Sequence, residues 1–573
     1  LALRQSILIA KEGKETMEKR IWHQAYVAGV SPTMDFERIT LHEILARTAA
    51  LYPDHIALIM MGNEITYRQL DADVRRFAAA LAGLGIRKGD KVALILPNIP
   101  QMVIATYALF RLGAVAVMNN PLYTETELEH NLNDSEARMA ICLDFLLPRE
   151  VALKQKTRLE MIIACHIREY LPAPGEDPFI QQLYALHMDI EPQEGIYEFG
   201  ALMAGAVSEP PHVKVDFEDP AALISTGGTT GVSKAVMLSH ANSSVAVQQF
   251  KSWLFDTEDG TEKLLAVLPF FHVAGYTDIM NNAIYRGWTA ILIPWPTPEI
   301  IIEMTSRYKP TLFGGVPTMF VGLLNNPRFV SVKFDSIKGC LSGAAPLALE
   351  TINEWEKLTG STIVELYGLT ETSALATFNP WRGKTKLGSV GVPVPETDCR
   401  IVDIETGAKT LNPGEAGEIL IKGPQVTLGY YNNPEATADA IKDGWLSTGD
   451  IGYLDDEGYL FIVDRKKDVI ISGGYNIYPR EVDEVLYQHP KVQAACVIGI
   501  PDAYWGETVK AFIVLKQGQT ATEAEIVHFC KETLAAYKVP KSIEFRTELP
   551  QTIVGKILRR TLRDEEIAKK KGP

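Results

Sequence analysis

No C-x-x-C pair occurs in this chain of 573 residues, and its six cysteines (Cys142, Cys165, Cys340, Cys399, Cys496 and Cys530) stand far apart. Neither a disulfide framework nor a zinc knuckle is indicated, and a reducing cytoplasm fits best. Cys165 beside His166 reads as part of a helix packed into the core. Long apolar runs are also missing: the most apolar region, 92–118, is broken by Asn98, Gln101 and Arg111, short of the roughly 20 residues a membrane span needs. The opening LALRQSILIAKEGKETMEKR has a short apolar stretch and no small-residue cleavage site, so a signal peptide is not expected; Met17 offers an alternative start. Basic residues are outnumbered, 56 against 71 acidic, for a net charge of −15. That excludes a general nucleic-acid binder, whose affinity rests on clustered Lys and Arg. There are no internal repeats and no low-complexity tracts. With 20 Phe, 21 Tyr and 8 Trp, disorder is not expected either.

What is present is an alternation of helix and strand signals. Thr40-Leu41-His42-Glu43 and Thr66-Tyr67-Arg68-Gln69 are capping boxes. The first opens a helix through Ala50. The second is followed by Leu70, Val74, Phe77, Ala78 and Leu81 at helical spacing. A strand at 91–96, a helix at 100–112, a strand at 114–119, a helix from Thr124 and a strand at 137–143 complete the first set. Repeated βα units imply a largely parallel sheet with helices on both faces. Residues 145–208 read as helical and polar, and 208–220 as a linker into a second α/β unit reaching Thr397. From Asp398 a small β-rich unit follows, and beyond Asp464 a compact α+β unit. Gly83-Leu84-Gly85 is not a dinucleotide loop, because the next glycine, Gly89, comes one place late and the strand follows instead of preceding.

The sharpest local signal is Ser225-Thr226-Gly227-Gly228-Thr229-Thr230-Gly231-Val232-Ser233-Lys234, set between the apolar runs AALI and AVML. Three glycines let backbone N–H groups converge on an anion, and hydroxyls and an ammonium add donors for phosphate oxygens. A mobile surface turn is the weaker reading for three Thr, three Gly and a Lys inside nine residues after a buried strand. It is not the ATPase P-loop, since Lys234 does not directly follow a glycine and no Ser or Thr succeeds it.

Here the sequence resembles the adenylate-forming superfamily of acyl-CoA synthetases, luciferases and peptide-synthetase adenylation domains, from about residue 40 to 565. The loop resembles S-G-T-T-G-x-P-K-G, with Gly227, Ser233 and Ala235 as departures. Tyr367-Gly368-Leu369-Thr370-Glu371 matches Y-G-x-T-E, preceded by Glu365 and Leu366. The resemblance implies that Tyr367 stacks on adenine, Thr370 contacts the α-phosphate, and Glu371 with Thr226 holds Mg²⁺. Gly343, Ala344 and Ala345 resemble the small-residue strand end beside adenine, and Asp450 in Ser447-Thr448-Gly449-Asp450 the acceptor of the ribose hydroxyls. Arg465 would contact ribose and phosphate, and Lys467 would be the hinge. Gly473, Gly474 and Tyr475 resemble the pantetheine strip of CoA ligases. Lys556, in Pro550-Gln551-Thr552-Ile553-Val554-Gly555-Lys556, matches the catalytic lysine of P-x-x-x-x-G-K. His272, Val273 and Gly275 lie in the segment at the carboxylate end of the acyl pocket, where His272 positions the substrate or simply packs in the core.

The resemblance implies a large AMP-binding domain over 40–464 (two doubly wound α/β subdomains, about 40–220 and 221–397, and a β-rich one at 398–464). A small mobile α+β domain follows over 465–573, after an N-terminal extension at 1–39. It further implies an ATP-dependent ligase: a carboxylate attacks the α-phosphorus of ATP to give an acyl adenylate, and the CoA thiol then displaces AMP. The segment 145–205, including PREVALKQKTRLEMII, and the hinge wording IVDRKKDVIISGGYNIYPREVDEVL resemble medium- and long-chain fatty acyl-CoA synthetases. Aromatic or alicyclic acids, an acyl-AMP ligase loading a carrier protein, and a non-catalytic nucleotide or acyl sensor stay open as alternatives, as do peripheral membrane contact and a homodimer.

Overall fold

Polar residues ahead of apolar periodicity start the helices where the pattern places them. Thr66 accepts the Gln69 backbone N–H at 3.2 Å while the Gln69 side chain accepts the Thr66 N–H at 2.8 Å, and the helix Tyr67–Gly83 follows. Thr124 and Glu127 repeat the device at the start of Glu125–Ser135. The computed structural model describes residues 20–206, 209–226, 233–332, 334–345, 347–472, 475–502, 504–551 and 557–571. Gly227, Gly228, Thr229, Thr230, Gly231, Gly473, Gly474 and Lys556 therefore lie outside the described residues.

Two large sheets, each with a core of six parallel strands, carry helices on both faces. The first runs Ile196–Glu198, Met161–Cys165, Met139–Leu143, Lys91–Ile95, Val115–Met118, Pro220–Ser225 and Ala235–Ser239, with only the last pair antiparallel. In the second, Ile363–Tyr367, Gly339–Ser342, Leu312–Gly315, Lys263–Ala266, Thr289–Leu292 and Ile56–Met60 are parallel neighbours. A five-stranded antiparallel sheet spans 398–465, and a final sheet with the helices Pro479–Tyr487, Glu523–Thr533 and Arg559–Lys571 forms the last unit. The apolar region 92–118 resolves into strand, buried helix Pro100–Leu112 and strand. Among the described residues no helix is long and apolar enough to cross a membrane.

Two expectations fail here. Residues 145–208 are not simply helical, because they contribute the strands Met161–Cys165 and Ile196–Glu198. Cys165 thus ends a buried strand, where a helix was expected. A five-residue apolar run carries no periodicity that separates the two states, and pairing with Met139–Leu143 decides it. Nor does the chain break between sheets at 220. Pro220–Ser225 pairs with Val115–Met118, and in exchange Ile56–Met60 pairs with Thr289–Leu292. Partner choice between strands of similar composition is a long-range matter that local patterning does not encode.

The core beneath the second sheet is organised around Trp355, which is fully buried. Phe313, Phe320, Phe329 and Phe334 surround it at ring separations of 5.0–6.0 Å, and its indole N–H donates to Ser361 Oγ at 3.1 Å. Trp355→Ala is expected to destabilise this unit by about 3–5 kcal/mol, read as a lowered urea midpoint. Trp355→Phe should recover a large part of that loss.

Candidate active site

Parallel strands deliver all their carboxyl ends to one edge, and in open α/β sheets that edge is where ligands sit. The segments after Lys263–Ala266, Gly339–Ser342 and Ile363–Tyr367 therefore come together, and with them His272, Gly343 to Ala345, and Gly368 to Glu371. Ala344 lies in the left-handed region at φ +67°, a strain of order 1–3 kcal/mol for a residue with a side chain. The Leu347 N–H donates to Glu365 at 3.2 Å, tying the loop to the neighbouring strand. Burial pushes the Glu365 carboxyl up to about 7. A Cβ on Gly368 would stand 1.9 Å from the Ala374 carbonyl oxygen, so only glycine permits the turn that presents Glu371.

Two carboxylates, one buried and one half-buried, dominate this edge. Asp450, 3% exposed, accepts the Tyr367 hydroxyl at 2.7 Å on one oxygen and the Arg465 Nε at 2.6 Å on the other. Asp450 and Arg465 face each other across an antiparallel strand pair. A carboxylate offers about four lone-pair sites, so capacity for further donors remains. Glu371 sits on a short 3-10 turn, Thr370–Thr372, and accepts the Tyr430 hydroxyl at 2.8 Å. Its own carbonyl accepts the Thr427 N–H at 2.8 Å. Burial holds the Glu371 carboxyl above its usual range, opposed by the Tyr430 hydrogen bond and the Arg465 charge. The Lys234 ammonium lies 4.8 Å over the Tyr430 ring, a cation–π contact that links the glycine-rich loop to Glu371.

The ends of that loop are pinned. Thr226 N–H donates to the Lys234 carbonyl at 3.0 Å, and the flanking strands pair antiparallel from Ser225 and Ala235. Asn131 Oδ1 accepts both the Ser225 and the Ser233 hydroxyls, at 3.2 and 3.1 Å. Sequence reasoning missed Asn131 and Tyr430. Each lies far along the chain from what it holds, and the one local signal is a polar residue on the Leu128 and Leu132 face of its helix.

The remaining candidates are spread around this centre. Ala274 N–H approaches His272 Nδ1 at 3.4 Å, and Val273 is buried. Gly275 opens a π-helical segment, Gly275–Asn281, and a Cβ there would meet the Pro269 carbonyl oxygen at 2.0 Å. Lys467 lies in the turn between Leu460–Arg465 and Ile470–Ser472, strands that belong to different sheets. Arg480 crosses that junction, donating its N–H to Asp464 at 2.7 Å and its guanidinium to the Ile462 carbonyl at 2.6 Å. Tyr475, 57% exposed, stacks on Tyr537 with ring centroids 4.6 Å apart, offering a flat aromatic surface.

Tyr430→Phe removes the hydroxyl that holds the Glu371 carboxylate. Since that bond favours the ionised form, the carboxyl should titrate at still higher pH, and the acid limb of nucleotide binding should move upward. A fluorescence-monitored ATP titration between pH 5 and 8 reads this. An unmoved limb would show that Glu371 does not set it.

Residues 45–431 match the AMP-binding enzyme family and residues 481–556 the AMP-binding enzyme C-terminal domain. A long-chain-fatty-acid–CoA ligase of Bacillus subtilis (strain 168) is 44% identical, over 95% of this chain and 98% of its own. Among solved structures, the anthranilate CoA ligase AuaEII in complex with anthranoyl-AMP superposes with a TM-score of 0.83 at 29% identity, covering 93% of this chain and 98% of that one. O-succinylbenzoate coenzyme A synthetase from Bacillus subtilis, in complex with ATP and magnesium ion, gives 0.75 at 30% identity, covering 91% and 99%. The match spans both large sheets and the final unit, and the chain belongs to the AMP-binding enzyme family of acyl-CoA synthetases.

Proposed function

We propose that this protein activates a fatty acid: an ATP-dependent, AMP-forming acyl-CoA synthetase working through an acyl adenylate. The observation that carries the choice of acid is the near-full-length similarity to a long-chain-fatty-acid–CoA ligase. A second reading, an aromatic acid, is favoured by the fold-level likeness to a ligase for anthranilate.

In the first step an acyl carboxylate meets the α-phosphate of ATP. Like charges about 4 Å apart repel by about 4 kcal/mol at an effective dielectric near 20, so cationic and N–H donors must offset them. Lys234 and Lys556 supply ammonium groups, and the Thr226 to Gly231 loop supplies N–H and hydroxyl donors. One Glu371 oxygen takes the Tyr430 hydroxyl, leaving the other for a cation. With the Thr226 hydroxyl that is an oxygen-only set, the kind Mg²⁺ prefers, and Mg²⁺ held there would neutralise phosphate charge. Tyr367 and the strained Ala344 would flank adenine, and Asp450 and Arg465 the ribose. Glu365 and Leu366 support that strand end, Gly343 lies beside Leu366, and Thr370 faces the α-phosphate.

In the second step CoA reaches the adenylate along Gly473, Gly474 and Tyr475. The domain exchange this requires takes place about Lys467, between a large domain at 40–464 and a small one at 465–573. The change of sheet on either side of that turn supports this division. Six cysteines, all unpaired and buried, accord with a reducing compartment such as the cytoplasm.

A panel of carboxylic acids with ATP and Mg²⁺, with AMP measured with and without CoA, tests the reading. AMP formation that depends on CoA and peaks on aliphatic acids of medium to long chain is expected. A peak on aromatic acids would replace the substrate class, adenylate formed without CoA turnover would favour carrier loading, and ADP would overturn the chemistry. Lys556→Ala should lose adenylation by about 10²–10³ while still converting a supplied acyl adenylate to thioester. Equal loss of both half-reactions would contradict the role.

A further inference from the structure

Away from the adenylate cleft, three side chains converge on one point at the carboxyl edge of the first sheet. Asp144 directly follows the strand Met139–Leu143, His166 directly follows Met161–Cys165, and these strands are parallel neighbours. His187 arrives just beyond the helix Pro178–Ala185. His166 Nδ1 stands 2.7 Å and His187 Nδ1 2.9 Å from the same oxygen, Asp144 Oδ2, and the two nitrogens are 3.1 Å apart. Asp144 is 2% exposed and His166 9%. The carboxylate is aimed by two backbone donors, Phe145 N–H on Oδ1 at 2.9 Å and Met188 N–H on Oδ2 at 3.0 Å.

The outer nitrogens decide what the centre can hold. His187 Nε2 faces Asp189 Oδ1 at 3.1 Å, and His166 Nε2 faces Glu198 Oε2 at 3.8 Å. A neutral imidazole has one proton for two nitrogens. With those protons on Nε2, toward the carboxylates, both Nδ1 atoms present lone pairs to a carboxylate oxygen that is itself an acceptor. Three acceptors about 3 Å apart repel unless a positive charge lies between them. With the protons on both Nδ1 atoms the rings would donate to Asp144, but each Nε2 lone pair would then face a carboxylate, and protonating both rings would place two imidazolium cations in contact. A divalent cation resolves the arrangement at once, and a carboxylate behind each ligating histidine is the outer shell that metal-bound histidines take.

We propose that Asp144, His166 and His187 form a binding site for a divalent transition metal ion of the zinc class. Two imidazoles and one carboxylate suit zinc and its neighbours better than Mg²⁺ or Ca²⁺. With metal–ligand bonds of about 2.0–2.1 Å, tetrahedral ligands stand about 3.3–3.4 Å apart, so the pairs must open by about 0.2–0.7 Å, the His166–Asp144 pair the most. His187, on a half-buried turn, has the freedom to do so, and a fourth position remains for water. The ion would clamp the Asp144 turn, the end of the 161–165 strand and the 186–188 turn together. It would therefore act on the stability of the 144–198 segment, independently of acyl transfer.

The test uses the full chain, stripped with EDTA and dialysed, then titrated with ZnCl₂ by calorimetry and with CoCl₂ by absorption. One equivalent of Zn²⁺ is expected at micromolar affinity or tighter, with a rise in thermal midpoint and an intense tetrahedral cobalt band. His166→Gln with His187→Gln should abolish that equivalent, and Asp189→Asn should weaken it about 10–100-fold. Wild type that takes up no more zinc than the double variant overturns the site. Should the double variant fail to fold, the wild-type cobalt spectrum alone decides, and an octahedral, weakly absorbing ion overturns it as well.

Discussion

Asp450 holds its place because two donors from different parts of the molecule meet on it. Tyr367 ends a parallel strand of the second sheet, Arg465 ends an antiparallel strand of the third, and both bond the same buried carboxylate. Removing either donor would leave an incompletely compensated charge where water is scarce, a situation that costs several kcal/mol. The junction between the second and third sheets and the start of the turn into the final unit hang on that contact.

Around it, the same logic recurs with different groups. Glu371 is buried enough for its carboxyl to rise, and one phenol and one guanidinium draw it back toward ionisation. Lys234 and Asn131 bring the glycine-rich segment to the same place, one through an aromatic face and one through two serine hydroxyls. Strain is present at the carboxyl edge of the second sheet: Ala344 is left-handed, and Gly275 and Gly368 sit where a methyl group would collide with backbone. Such features persist only when surrounding packing over-determines them.

Much of this was legible beforehand. The capping boxes at Thr40 and Thr66 start helices one residue later, since capping is settled within four residues, and the helix expected from Thr124 begins at Glu125. The α/β fold class was legible as well, because helix and strand signals alternate along the sequence. Short apolar runs were not: Met161–Cys165 looked helical and is a strand. The sheet membership of Pro220–Ser225 and Ile56–Met60 was equally hidden. The Asp144, His166 and His187 cluster escaped too, because its members are separated by about two dozen residues each and share no motif.

Residue order alone determined the local chemistry of this protein: where helices begin, which loop is rich in donors, which carboxylates and lysines accompany it. Those properties depend on neighbours within a few positions, so they survive reading in one dimension. Tertiary structure alone decided which strands pair, that Tyr430 and Asn131 support the site, and that two histidines share one aspartate oxygen. Contacts of that kind form between segments tens to hundreds of residues apart, and they are selected by burial and hydrogen-bond satisfaction over the whole chain.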